Sequence, residues 1–230
     1  MLYIENKNNV SGDAWVSGNA WVSGNAEVYG DAKVFGSAEV YGDAMVSGNA
    51  EVYGDAKVFG NAMVSGNAEV SGNAMVSGNA EVYGDAWVSG NAEVYGDAWV
   101  SGNAWVSGNA EVYGDAKVFG NAKVFGNAKV YGDAEVYGDA WVSGNADIQC
   151  NNDWFTITHN GNTITGYRSR NDLGYELNID GVATELSELG GSTYIASLIA
   201  KFTTLKTELD IRIENLEFEL AELKAIRKAN

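Results

Sequence analysis

Residues 10–33 read VSGDAW-VSGNAW-VSGNAE-VYGDAK. The same hexad runs 23 times without a gap, from Val10 to Asp147. It consists of Val, then Ser, Tyr or Phe, then Gly, then Asn, Asp or Ser, then Ala, then a variable residue. Val holds the first position, Gly the third and Ala the fifth in every unit. No helix has a period of six. Val is β-branched and prefers extended backbone. Position 6 of one unit and position 2 of the next flank that Val, so they point to the opposite face of the strand. Val faces in, and positions 6 and 2 face out. Gly followed by Asn or Asp accepts a turn with positive φ. Ala occupies the inner corner, where a larger side chain would collide. Three hexads close one triangular coil, so the 138-residue tract makes between seven and eight coils. At roughly 4.8 Å per stacked strand the rod is about 35 Å long. Each coil pairs with those above and below, which leaves open edges only at the two ends.

The small residue two positions before each aliphatic one, as in Ala14 with Val16 and Ala20 with Val22, resembles the hexapeptide-repeat family. The pattern covers 138 of the 230 residues. The resemblance implies a left-handed parallel β-helix. The acyltransferases of that family carry a catalytic His on a coil and inserted loops that build a cofactor pocket. This tract has no His and no insertion. The only His is His159, at a hairpin turn, and the only Cys is Cys150. One of each builds neither a triad nor a Cys/His metal site within one chain. The reading is therefore a non-enzyme with no cofactor and no metal.

The outer positions are not random. Position 6 carries Trp six times, Met three, Glu eight, Lys five and Asp once; position 2 carries Ser eleven times, Tyr eight and Phe four. Ser always follows Trp or Met, Tyr usually follows Glu, and Phe usually follows Lys. A large side chain thus stands beside a small one, or a ring beside a charged neighbour whose stem covers it. In all, 18 aromatics project outward. One column of position 6 holds Trp15, Lys33, Glu51, Glu69, Trp87, Trp105, Lys123 and Trp141. Its position-2 companions are read as Ser11, Tyr29, Ser47, Ser65, Tyr83, Ser101, Phe119 and Tyr137. With Trp15, Trp87, Trp105 and Trp141 on it, that face is expected to meet another subunit or a ligand. The alternative is that rings on adjacent strands stack on each other and stabilise the coil with no partner.

Residues 1–9 read as an N-terminal cap, 10–150 as the β-helix, 151–191 as a small β-hairpin or meander module, and 192–230 as an amphipathic helix. In the meander, Asn160-Gly161 and Asp180-Gly181 are hairpin turn signals between alternating runs. A capping module of this kind keeps a solenoid soluble. In the last segment Leu198, Phe202, Leu205 and Leu209 continue through Ile213, Leu216, Leu220 and Leu223 with one stutter. These residues would form the seam of a coiled coil about 50 Å long, giving a homo-oligomer with a trimer favoured. Residues 153–202 are also similar to tails of phage- and prophage-encoded hexapeptide-repeat proteins. The matching residues are Trp154-Phe155-Thr156-Ile157, Tyr167-Arg168, and Ile195 to Phe202. That resemblance implies a viral or prophage source more than a function.

The net charge of −17 disfavours direct binding to nucleic acid, whose phosphates need clustered Lys and Arg. It leaves open mimicry of a polyanion. Arg168 and Arg170 are the only cations between Lys129 and Lys201. With Tyr167 and Asn171 they could hold a small anionic, nucleotide-like ligand at subunit junctions. The N-terminal residues lack a signal-peptide pattern, and no apolar run is long enough to span a membrane. The sequence therefore points to a host-cell cytoplasm or a virion. Its leading reading is a non-catalytic structural or adhesive rod. An anion-sequestering protein and an acidic DNA mimic are the alternatives.

Overall fold

A computed structural model describes residues 1–151, 153–159, 162–168, 175–179 and 182–184. Each hexad supplies one short strand, and position 6 with the following Val forms its centre, as in Trp15–Val16 and Glu27–Val28. Every rod strand pairs in parallel with the strand 18 residues away: Trp87 faces Trp105, and Val88 faces Val106. The result is a β-solenoid of about eight turns with three flat parallel faces, of nine, seven and eight strands. The hexad reading of the coil is borne out.

The interior is a stack of two residue types. Every hexad Val from Val22 to Val142, and every hexad Ala from Ala20 to Ala146, is fully buried or within 1% of it. Ile148 replaces Val in the last strand and is also buried at 0%. Each buried Val contributes about 1.5–3 kcal/mol of transfer free energy, and the column leaves no polar group inside. The corners explain the invariant Gly. Gly84 has φ +75°, and a Cβ there would meet the Gly102 backbone nitrogen at 3.0 Å. Left-handed backbone and close coil stacking thus both exclude a side chain.

Beside each corner runs a ladder that side-chain amides build. Asn49 donates to Asn67 at 2.9 Å, and Asn67 donates to Asp85 at 2.8 Å. On another corner Asn73, Asn91, Asn109 and Asn127 each donate to the residue one coil on. An amide both donates and accepts, whereas a carboxylate only accepts. Runs such as Asn61-Asn79-Asp97 and Asn103-Asn121-Asp139 therefore end on Asp.

Residues 1–9 extend the rod. Tyr3–Ile4 adds a parallel strand to the nine-stranded face, against Trp21 and Val22. The Asn9 side chain is buried and donates to the Gly24 and Ala26 carbonyls at 3.0 and 2.7 Å. After the rod, strands Trp154–His159, Asn162–Arg168, Tyr175–Ile179 and Val182–Thr184 form a four-stranded sheet in chain order. Its first three strands pair antiparallel. It touches the last coils through the Trp141 backbone N–H, which donates to Thr165 Oγ1 at 2.9 Å, and through Tyr137 and Trp154, whose rings meet at 5.2 Å. The expected helix over 192–230, with Leu198, Phe202, Leu205, Leu209, Ile213, Leu216, Leu220 and Leu223, lies outside the described residues.

Candidate functional site

The eight-stranded face carries at position 6 the column expected: Trp15, Lys33, Glu51, Glu69, Trp87, Trp105, Lys123 and Trp141. Its position-2 column differs from the expectation. Beside these residues stand Ser17, Phe35, Tyr53, Ser71, Ser89, Ser107, Phe125 and Ser143. Ser11, Tyr29, Ser47, Ser65, Tyr83, Ser101, Phe119 and Tyr137 belong to the seven-stranded face, next to Val10, Val28 and their successors. The reason is the corner. Position 2 and position 6 of one hexad are separated by the Gly turn, so they lie on different faces. A strand joins position 6 to position 2 of the following unit.

The outward side chains form a set of pairs along the rod. Four lysines meet the Glu directly above or below: Lys33–Glu51 at 2.7 Å, Lys57–Glu39 at 3.3 Å, Lys117–Glu135 at 2.9 Å and Lys129–Glu111 at 2.7 Å. The Glu51 carboxylate raises the Lys33 pKa, and Glu135 raises that of Lys117, in each case chiefly through the hydrogen bond. Tyr53 donates to Glu69 at 3.0 Å, and Tyr95 to Glu111 at 3.5 Å. Burial, followed by the charge of Glu111, pushes the Tyr95 hydroxyl up to about 12; burial and a hydrogen bond to Asp147 do the same for Tyr131. Rings stack as the alternative reading expects. Tyr95, Tyr113 and Tyr131 form a run with centres 4.9 and 5.0 Å apart.

The Trp residues behave differently. Trp15, Trp87 and Trp105 remain 57%, 40% and 39% exposed. Trp87 and Trp105 stack on each other at 5.3 Å, with their planes 9° apart. Their indole N–H groups donate to Ser71 and Ser89, both at 3.3 Å, which holds both rings against the face. Below Trp105 the stack stops, because the next residue in the column is Lys123. Trp105, Ser107, Lys123, Phe125 and Trp141 line an open cleft of about 210 Å³. Lys123 Nζ lies over the Trp141 ring at 4.0 Å and over the Trp105 ring at 6.0 Å. Phe125 meets Trp141 edge-on at 6.0 Å.

Of the expected anion site, only the Tyr167 side chain is among the described residues. Tyr167 is fully buried, with its hydroxyl 3.0 Å from Ser143 Oγ. Arg168 ends the strand Asn162–Arg168, its side chain lying outside the described residues, as do Arg170 and Asn171. Among the described residues no cluster of His, Cys, Asp and Glu could hold a metal, and no helix is long and apolar enough to cross a membrane. Sequence reasoning named Trp105 and Trp141 but passed over Ser107, Lys123 and Phe125. The signal for Lys123 was present in its column, as a lysine flanked by Trp on both sides and by Glu on neither. Ser107 and Phe125 were hidden by the misplaced position-2 column.

Residues 68–84 match a protein family described as YdcK Beta solenoid repeat. That stretch, from Ala68 to Gly84, is drawn from the middle coils and agrees with the parallel solenoid. No curated protein and no solved structure matches the chain.

Proposed function

We propose that this β-solenoid repeat protein is a non-catalytic rod that works by presenting its eight-stranded face to a partner. Its coil is left-handed, as the hexapeptide pattern implies. The observation that supports the reading is the three exposed Trp on that face, Trp15, Trp87 and Trp105, against one each on the nine- and seven-stranded faces, Trp21 and Trp99. Large exposed aromatics clustered on one face are a common mark of interaction surfaces. The faces are uninterrupted by loops, so the rod offers flat surfaces rather than a reaction chamber.

The four-stranded sheet closes the C-terminal end of the rod, and residues 192–230 join copies into a trimer through a coiled coil. The heptad-like spacing from Leu198 to Leu223 supports that step. The product is a structural or adhesive element of phage or prophage type, in a virion or a host cytoplasm, as the tail pattern suggests. Native mass spectrometry of the full chain should give a trimer, and a chain ending at residue 191 should give a monomer. Unchanged assembly after that truncation would remove the oligomeric part of the reading.

A further inference from the structure

We infer that the cleft around Lys123 binds a small aromatic anion, a flat ring that carries a carboxylate or a phosphate. The inference deepens the reading of the eight-stranded face as the working face and rests on it.

Of the five rod lysines, four pair with a Glu one coil away. Lys123 has Trp105 on one side in register and Trp141 on the other. Among the described residues it is the one rod lysine without a carboxylate partner. Its ammonium group lies against the face of Trp141 instead. A cation on an aromatic face is held only weakly at an exposed site, and it leaves the N–H donors of the ammonium free to meet an anion. In a chain of net charge −17 such a group is the exception.

Trp105 ends a two-ring stack: one face lies on Trp87, and the other is turned toward Lys123 and the cleft. The bond from its indole to Ser89 holds it in place, so the open face is ready before a ligand arrives. Ser107 lines the cleft beside that face, and its small side chain leaves room there. Phe125 and Trp141 form the opposite wall. The volume of about 210 Å³ suits a single ring system with a substituent, since a cavity of about 150 Å³ holds benzene. A third ring laid on Trp105 would continue the stack, with its anionic group on Lys123 Nζ. The lining is mostly apolar, which favours an aromatic ring over a sugar.

Two sources share this chemistry, a nucleotide and an aryl carboxylate. Isothermal titration of the full chain with adenosine 5′-monophosphate and with 2-naphthoate distinguishes them. Adenosine and 2-naphthamide serve as uncharged counterparts. At least one anion should bind ten times or more tightly than its counterpart. Lys123→Glu should remove that preference, and Ser107→Tyr should block binding altogether. Glu occurs at position 6 and Tyr at position 2 elsewhere in the repeat, so both variants keep a native-like rod. An unchanged melting temperature checks that. Binding of neither anion, equal binding of the uncharged forms, or an unaffected Lys123→Glu variant would overturn the site. So would equal binding of glucuronate, an anion without an aromatic ring. Native mass spectrometry of the same samples separates the two readings. A trimer that binds neither anion overturns the cleft alone, and a monomer that binds one overturns the assembly alone.

Discussion

The nine-stranded and eight-stranded faces share one backbone and one Val–Ala core, yet they place most of their aromatic rings at different positions of the hexad, although Phe35 stacks on Tyr53 at position 2 of the eight-stranded face too. On the nine-stranded face the rings sit mainly at position 2. Tyr41 stacks on Phe59 at 5.0 Å, and Tyr95, Tyr113 and Tyr131 follow as a run, all half-buried. On the eight-stranded face the Trp rings stand at position 6, and Trp15, Trp87 and Trp105 stay exposed even where two of them stack. The position-2 rings of these runs lie half-buried against one another, whereas at position 6 five of the six rod Trp are more than a third exposed. Where the ring is placed in the hexad therefore biases whether it stabilises the rod or is left available to a partner, with Tyr29 and Tyr137 as exposed exceptions at position 2.

The largest expected effect tests what the two faces have in common. Gly96→Ala and Gly108→Ala lie at corners after the nine- and eight-stranded faces, where a Cβ would meet backbone nitrogen at 3.0 and 2.9 Å. Each should cost more than about 2 kcal/mol, since left-handed strain alone is worth roughly 1–2 kcal/mol. Gly138→Ala, whose Cβ meets nothing within 4 Å, should lose only the strain. Chemical denaturation midpoints compare the three. Equal losses at all three would show that coil stacking plays no part in the choice of Gly.

A smaller effect tests the difference between the faces. Tyr113 lies between two rings and Trp87 against one. An aromatic pair contributes about 0.5–1.5 kcal/mol beyond its burial. Tyr113→Ala should therefore destabilise the rod more than Trp87→Ala, although Trp is the larger residue. The reverse order, read from the same midpoints, would end the distinction between tucked and presented rings.

The smallest effect is one of pH. Tyr95 and Tyr131 are raised from 10.0 to about 12, first by burial and then by nearby carboxylates. Their neutral forms are favoured in the folded rod, so this stabilisation is complete below pH 10 and is lost as pH climbs to about 12. Circular dichroism melts between pH 8 and 12 should fall in that window. A Tyr95→Phe, Tyr131→Phe double variant should fall less. An equal fall in both would place the alkaline sensitivity elsewhere.

Much of this was legible in the residues. Val16, Val22 and their successors announce an inward column because the period is unbroken, and three hexads per coil place Trp87 over Trp105. The position-2 column was misread although Val16 already joins Trp15 to Ser17 in the sequence: the companions were taken from the same hexad, across the Gly corner, instead of from the next one. The strand Tyr3–Ile4 lies outside the hexad pattern, yet it stands one coil before Trp21 and Val22, a spacing that could have revealed it. The amide ladder from Asn73 to Asn127 was read as turn chemistry, because composition does not tell which way a side-chain amide points. Tyr167 looked like a ligand contact because its sequence neighbours are Arg168 and Arg170. Its burial against Ser143 depends on a packing between the sheet and the last coils that no local pattern carries.

The register of one coil per three hexads also sets how such a rod can change length. Adding or deleting a whole coil keeps every downstream side chain on its own face and alters the length by about 4.8 Å. Adding or deleting a single hexad rotates everything after it by one face. A one-hexad deletion between Trp105 and Lys123 would leave the Val–Ala core continuous. It would nevertheless move Lys123, Phe125 and Trp141 off the face that holds Trp105, and the cleft would vanish from a rod that still folds. In genetic terms, the interior tolerates indels in steps of six, and the surface only in steps of eighteen.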